Sequence, residues 1–115
     1  MTFVYADPDV IRQRQTAAAT VLVKLLAEQL PQAAWGITDV LDPSNPGEID
    51  GQISEDSDDA AVTAVKAWAR RLGAAPEWKT DTILEVAAPV DGITVIVWTL
   101  ISQKPSSPAP VAVSS

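Results

Sequence analysis

The sequence contains no cysteine and no histidine. Without cysteine there can be no disulfides, thiolate metal sites or cysteine nucleophiles. Without histidine the most common general base and the most common nitrogen ligand for metals are missing, which excludes Ser-His-Asp triads and Cys–His pairs. The five glycines form neither a dinucleotide-binding fingerprint nor a Walker A loop. We therefore expect a protein that is not an enzyme and carries no cofactor.

Basic residues are scarce as well. Eight Lys and Arg residues stand against fifteen Asp and Glu residues, so the formal net charge is −7. A nucleic-acid-binding surface needs clustered Lys and Arg, because its affinity comes largely from contacts to phosphates. The close pairs Arg12/Arg14 and Arg70/Arg71 are typical of solvated helix faces. Direct binding of DNA or RNA is not expected.

Long apolar runs are also absent. No stretch of about 18 apolar residues is present to span a bilayer, and residues 1–9 lack the basic and then apolar pattern of a secretory signal. We therefore expect a cytoplasmic protein without a membrane partner. What the chain does have is 47% hydrophobic residues over a length of 115, which is enough for one folded core.

Two segments have the periodicity of amphipathic helices. Asp7-Pro8 is typical of an N-cap followed by proline at the first helical position, and the apolar spacing after it predicts a helix over about residues 8–30. The acidic run 55–59 precedes a second helical pattern that ends at Gly73, a candidate C-cap. Acidic residues are favoured in a first helical turn, so capping is a simpler interpretation of this run than a metal site.

Four segments alternate between apolar and polar or small residues, which is typical of strands. Two of them lie between the helical segments and two follow the second. The last two are joined at Pro89-Val90-Asp91-Gly92, where Gly92 can supply the positive φ that a tight hairpin needs. The predicted strands are residues 34–41, 48–54, 77–87 and 92–102.

The predicted element order is therefore α-β-β-α-β-β. An α+β fold, with a four-stranded antiparallel sheet and both helices packed on one face, is the simplest way to bury these faces. We expect residues 1–102 to form this single domain. Residues 103–115 contain three prolines and four serines without periodicity, which predicts a flexible Pro/Ser-rich tail.

The last predicted strand is apolar on both faces. One face carries Ile93, Val95, Val97 and Ile101, and the other carries Ile96, Trp98 and Leu100. One helix layer shields one face, so the second face is either covered by another element or offered to a partner. Trp78 is a candidate to join Trp98 in an aromatic patch, although tryptophans also serve simply to fill a core. The candidate interaction residues are Trp98, Ile96, Leu100 and Trp78.

Two functional hypotheses follow. The first is a non-catalytic interaction or accessory protein that uses this apolar face as a homodimer or as a subunit. The alternative is an acidic inhibitor that imitates nucleic acid and binds a basic DNA- or RNA-binding protein. Its phosphate-like array would consist of Asp39, Asp42, Glu48, Asp50, Glu55, Asp56, Asp58 and Asp59.

The carboxylates near a predicted turn raise one more hypothesis, a metal site. Asp42, Asn45, Glu48 and Asp50 offer the oxygen ligands that Ca²⁺ and Mg²⁺ take, but their spacing does not match an EF-hand loop. The prolines on either side of Ser44 indicate an ordinary rigid turn. We expect no metal there.

Four stretches of the sequence carry a family resemblance: Trp35-Gly-Ile37, Gly51-Gln-Ile53, Ala64–Ala74 and Asp91–Trp98. Together they resemble a group of short, Ala-rich, uncharacterised actinobacterial proteins, some of which accompany phages and integrating elements. The resemblance covers about residues 15–102 and consists mainly of core and turn positions. It implies no particular activity, and it implies a small accessory protein of a phage or mobile element.

Overall fold

The computed structural model describes residues 8–37 and 47–102, which form two helices and a five-stranded mixed sheet. The predicted α+β class is thereby confirmed, while Asp7 and the predicted tail 103–115 lie outside the described residues. In chain order the elements are α1 (Pro8–Leu26), β1 (Ala34–Ile37), β2 (Glu48–Ile53), α2 (Asp58–Leu72), β3 (Glu77–Trp78), β4 (Ile83–Val90) and β5 (Ile93–Leu100). The order in the sheet is β1-β2-β5-β4-β3.

The predicted number of strands is wrong, because the segment predicted as one strand over 77–87 is two strands. Thr80 Oγ1 accepts hydrogen bonds from the backbone N–H groups of Thr82 and Ile83, both at 3.1 Å. This hydroxyl-centred turn reverses the chain, so that Trp78 of β3 lies antiparallel to and opposite Leu84 of β4. The polar turn continues the alternation of the segment. The sequence pattern therefore does not show where β3 ends and β4 begins.

The predicted all-antiparallel pairing is also wrong, because β2 and β5 are parallel. Ile49 pairs with Val95 and Gly51 with Val97 in the middle of the sheet. The end of β2 is tied to β5 by the buried Thr99, whose Oγ1 donates to the Ile53 carbonyl at 2.8 Å. The alternation of apolar and polar residues along a strand predicts on which face of the sheet each side chain lies. It does not predict which other strand is the neighbour. Packing between segments that are distant in the sequence therefore determines that β2 and β5 are parallel neighbours.

One predicted element is longer than the observed one. Helix α1 ends at Leu26 and not near residue 30. The chain after α1 is held by a hydrogen bond from the Trp68 indole to the Pro31 carbonyl, at 2.9 Å. Residues 38–41 of the predicted first strand lie outside the described residues.

Helix α2 has a cap at each end. Ser57 is the N-cap, and its side chain accepts a hydrogen bond from Ala60 N at 3.1 Å. Gly73 is the C-cap, as predicted, with φ 71° and its N–H donating to the Ala69 carbonyl at 2.9 Å. Asp58 lies in the first turn, and its carboxylate also accepts from Ser102 N at 3.2 Å. Ser57 and Asp58 of the run 55–59 thus have structural roles at the start of α2.

Both helices pack on the same face of the sheet and share one hydrophobic core. The core includes Ala18, Val21 and Leu25 of α1, Val65, Trp68 and Ala69 of α2, and Ile49, Ile53, Val86, Val95 and Val97 of the sheet. Trp68 is 2% exposed, and its ring meets the Trp35 ring edge to face with 5.3 Å between centroids. The second face of the sheet has no part in this core.

The predicted tight hairpin joins β4 to β5. Asp91 and Gly92 form a two-residue loop with φ values of 51° and 83°, both in the left-handed region, as a type I′ turn requires. Lys24 of α1 forms an ion pair with Asp91 and so links the last turn of α1 to this loop. The hairpin therefore fixes the register of the two longest strands and connects to the helix layer.

A bidentate ion pair connects the segment after α1 to α2. Arg71 donates from Nε and Nη2 to the two carboxylate oxygens of Glu28, at 2.5 and 2.7 Å. This hydrogen-bonded contact holds the pKa of Glu28 below its usual value and raises the pKa of Arg71. Both side chains are about one-third exposed, so the pair lies at the surface and solvent screens it.

This ion pair predicts a specific pH dependence. Because the pKa of Glu28 is lower in the folded state, the stabilisation is complete above the unfolded pKa, about 4.3, and is lost as the pH falls through the folded pKa. We therefore expect Glu28→Gln to lower the Tm at neutral pH and to have a diminishing effect below about pH 4. Thermal unfolding followed by circular dichroism from pH 7 to pH 3 measures this.

Glu77→Gln is the control, since Glu77 is 69% exposed and lies 3.7 Å from Lys79 without a bidentate contact. We expect a small difference in Tm for this variant at every pH. A constant difference between the wild type and Glu28→Gln across the acidic range would contradict the role given to the Glu28–Arg71 pair.

Candidate interaction surface

The side chains of β5 alternate between the helix side and the opposite side of the sheet. The four residues predicted for one face are buried beneath the helices: Ile93, Val95, Val97 and Ile101. On the other side, Ile96 and Trp98 are half-buried and Leu100 is 58% exposed. A central strand is therefore buried on one face and accessible on the other.

We call the side of the sheet that faces away from the helices the open face. Its side chains follow from the strand register and from alternation along each strand. It comprises Glu48, Asp50 and Gln52 of β2, Thr94, Ile96, Trp98 and Leu100 of β5, Ile83, Glu85, Ala87 and Pro89 of β4, and Glu77 of β3. Three of the four predicted interaction residues therefore lie together on this face.

The fourth, Trp78, lies on the other side of the sheet. Trp78 is opposite the buried Leu84, whereas Trp98 is opposite the next residue, Glu85. Residues directly opposite one another share a face, so Trp78 points towards the helices, where it is partly buried against the core. The predicted aromatic patch of Trp78 and Trp98 is wrong, because Trp78 shares a face with Leu84, whereas the β4–β5 register places Glu85 opposite Trp98.

Trp98 is the centre of a shallow depression on the open face. Its indole Nε1 donates a long hydrogen bond of 3.4 Å to Asp50 Oδ2 on the neighbouring strand. The depression has a volume of about 350 Å³ and is lined by Glu48, Asp50, Ile83, Glu85, Ile96 and Trp98. Ile83 was not predicted for this site, although it has the same odd-numbered parity as Glu85 on β4.

Carboxylates lie on both sides of the apolar residues of β5. Glu48 and Asp50 are on β2, and Glu85 and Glu77 are on β4 and β3. Among the described residues near this face, Lys79 supplies a positive charge, and its Nζ lies 3.7 Å from a carboxylate oxygen of Glu77 and of Glu85. Asp50, Glu77 and Glu85 outnumber the Lys79 ammonium group, so these described side chains around Trp98 carry a net negative charge.

The acidic array predicted for a nucleic-acid mimic is divided between two surfaces. Asp39 and Asp42 lie outside the described residues, as does Asn45 of the metal hypothesis. Glu48 and Asp50 are on the open face, whereas the run 55–59 lies at the start of α2, on the helix side. Within residues 8–37 and 47–102, no group of three or more Asp or Glu side chains is arranged to hold a metal ion.

In the part of the chain that the structure describes, neither helix is long and apolar enough to cross a membrane. No family model matches this chain, and no curated protein or solved structure is significantly similar to it.

Proposed function

We propose that this is a small non-catalytic interaction protein that binds a protein partner through the open face, as a homodimer or as an accessory subunit. The observation that carries the proposal is the apolar side of the central strand, which the described residues leave uncovered, with Leu100 58% exposed and Trp98 half-buried beside it. Covering such a surface removes apolar area from water and is favourable. Tryptophan at the centre of the patch is typical of residues that contribute most to binding.

The proposal extends to the setting of the protein. We place it in the cytoplasm, as an accessory protein of a phage or another mobile element. The proposed link to a phage or mobile element is supported by the resemblance of residues 15–102 to short actinobacterial proteins, some of which accompany such elements. A co-purifying protein encoded by the same element is the result expected from this setting.

Two leucines of nearly equal exposure provide a matched test of binding through the open face. Leu100 on the open face is 58% exposed, and Leu26 at the end of α1 is 60% exposed. We expect Leu100→Gln to weaken self-association or partner binding about tenfold, which corresponds to about 1.4 kcal/mol, because it removes apolar contact area at the interface. Leu26→Gln is expected to have no such effect.

Sedimentation equilibrium over a wide concentration range measures self-association, and affinity purification from the natural host measures partner binding. Thermal unfolding of both variants verifies that they remain folded. The proposal fails if the wild type is monomeric at the highest concentration and both variants retain the same co-purifying proteins in the same amounts.

A further inference from the structure

The open face combines an apolar row with negative charge on both of its sides. Neighbouring strands are about 4.8 Å apart, so Trp98 on β5 has Glu85 of β4 directly to one side. On the other side, Asp50 of β2 is opposite Ile96 and reaches the Trp98 indole N–H. An occupant of this surface therefore contacts an indole ring and at least two carboxylates at once.

This charge arrangement disfavours a second copy of the chain as the occupant. In a twofold face-to-face dimer, β2 of one copy lies over either β2 or β4 of its mate. The first arrangement stacks the acidic strand β2 on the same strand of the mate. The second stacks β2 on β4, so that Asp50 lies over Ala87 with the Glu85 carboxylate one residue pair away. Lys79 already lies between two carboxylates of its own chain, so it offers little compensation. Burying like charges together is costly, and self-pairing would have to bear that cost.

We propose that the open face binds a basic, apolar segment of a different protein, with an arginine side chain over Trp98. This inference rests on the proposed function and specifies the partner. A planar guanidinium stacks on an indole ring, and its N–H groups can donate to a carboxylate at the edge of the ring, which Asp50 provides. The lysine ammonium group is not planar and cannot stack on the ring in this way.

The apolar part of the face requires an apolar complement beside the arginine. Ile83, Ile96 and Leu100 border Trp98 and are exposed or half-buried, so aliphatic side chains of the partner would cover them. The negative charge excludes a phosphate backbone as the occupant, because carboxylates repel phosphates. A protein segment in which arginine alternates with aliphatic residues meets both requirements.

Two blocked pentapeptides test the proposal with the full-length protein. The first is Val-Arg-Leu-Arg-Val, and the second replaces both arginines by citrulline, which has nearly the same shape and no charge. In ¹⁵N-resolved NMR titrations we expect saturable shifts of the Trp98 indole N–H and of the Ile96 and Glu85 amides with the arginine peptide. The citrulline peptide is expected to bind about tenfold more weakly, because it loses the cation–π and charge-assisted contacts.

Variants locate the contact. Asp50→Asn and Glu85→Gln are each expected to weaken binding of the arginine peptide several-fold, and added salt should weaken it further. Asp56→Asn changes the net charge by the same amount in the exposed loop before α2 and is expected to leave binding unchanged. Equal effects of all three variants would overturn the proposal, since they would indicate a general effect of net charge.

The remaining outcomes separate this inference from the proposed function. Equal binding of both peptides, or a dimer that Leu100→Gln dissociates without any peptide binding, overturns the arginine proposal and leaves the interaction surface standing. Nuclear Overhauser contacts between Trp98 and Val111 or Val113 in the free protein would show that the chain's own tail occupies the face, and would overturn the arginine proposal. A monomer that binds neither peptide, and whose co-purifying proteins Leu100→Gln leaves unchanged, overturns both proposals.

Discussion

Replacing Trp68 by alanine is expected to lower the free energy of unfolding by about 3–5 kcal/mol, a large part of the total stability of a domain of this size. Trp68 is 2% exposed and joins α2 to the sheet and to the segment after α1. The truncation removes the edge-to-face contact with Trp35 and the donor to the Pro31 carbonyl, and it leaves a cavity. Urea-induced unfolding measures the change.

Trp98→Ala is the matched control, because the same substitution is made on the open face. Trp98 is half-buried and its hydrogen bond to Asp50 is long, so we expect a loss of less than about 2 kcal/mol. Trp68→Phe is expected to lie between the two, since it keeps much of the ring and loses the indole donor. If Trp98→Ala cost as much as Trp68→Ala, the open face would have to be part of the folding core.

Replacing Gly51 by alanine is expected to destabilise the protein by about 1–3 kcal/mol through overpacking. A Cβ at Gly51 would lie 2.9 Å from ring carbons of Trp35 and 3.0 Å from the Cβ of Ala33. Trp35 packs over Gly51 from the edge strand and is itself held against Trp68, so its ring cannot simply move away. Thermal and urea-induced unfolding measure the loss.

Gly36→Ala provides the control on the adjacent strand. An added Cβ at Gly36 would meet Asp50 Oδ1 at an ordinary 3.4 Å, and we expect a change within about 0.5 kcal/mol. In a Trp35→Ala background, Gly51→Ala is expected to lose most of its effect, because the clashing ring is gone. An undiminished effect in that background would place the cause in the backbone and contradict the steric explanation.

A helix layer on one side of the sheet accounts for both the stability and the proposed binding. Trp68 and Trp35 belong to the covered side, where they join the helices, the segment before β1 and the sheet. Trp98 lies in the centre of the uncovered side, next to carboxylates of β2 and β4. Substitutions on the covered side are therefore expected to change the free energy of unfolding, and those on the open face to change binding.

Local signals were predicted well from the sequence. Gly73 ends α2, and Asp91-Gly92 forms the turn of the β4–β5 hairpin, because both positions need a left-handed backbone conformation that few residues adopt easily. The two faces of β5 were also predicted, since alternation with period two follows from strand geometry itself. The place of Trp98 on an accessible face follows from the same regularity.

The errors concern features that depend on contacts distant in sequence. Trp78 was a candidate to join Trp98, but the β4–β5 register places Glu85 opposite Trp98, so that Leu84 and Trp78 lie on the helix side. The carboxylates next to Trp98 were not predicted either, because Asp50 contacts Trp98 from a strand that is 48 residues away along the chain. Local patterns contain no information on such neighbours.

The sequence by itself determined the two helices, the α+β class and the two-sided apolar character of β5, because these follow from periodicity and from the backbone preferences of individual residues. Only the tertiary structure decided that β5 lies between β2 and β4, that β2 runs parallel to it, and that both helices cover the same face. Strand order is set by the sum of many weak packing contacts between distant segments. Within residues 8–37 and 47–102, these contacts leave one side of the central strand uncovered, with carboxylates on both sides of Trp98.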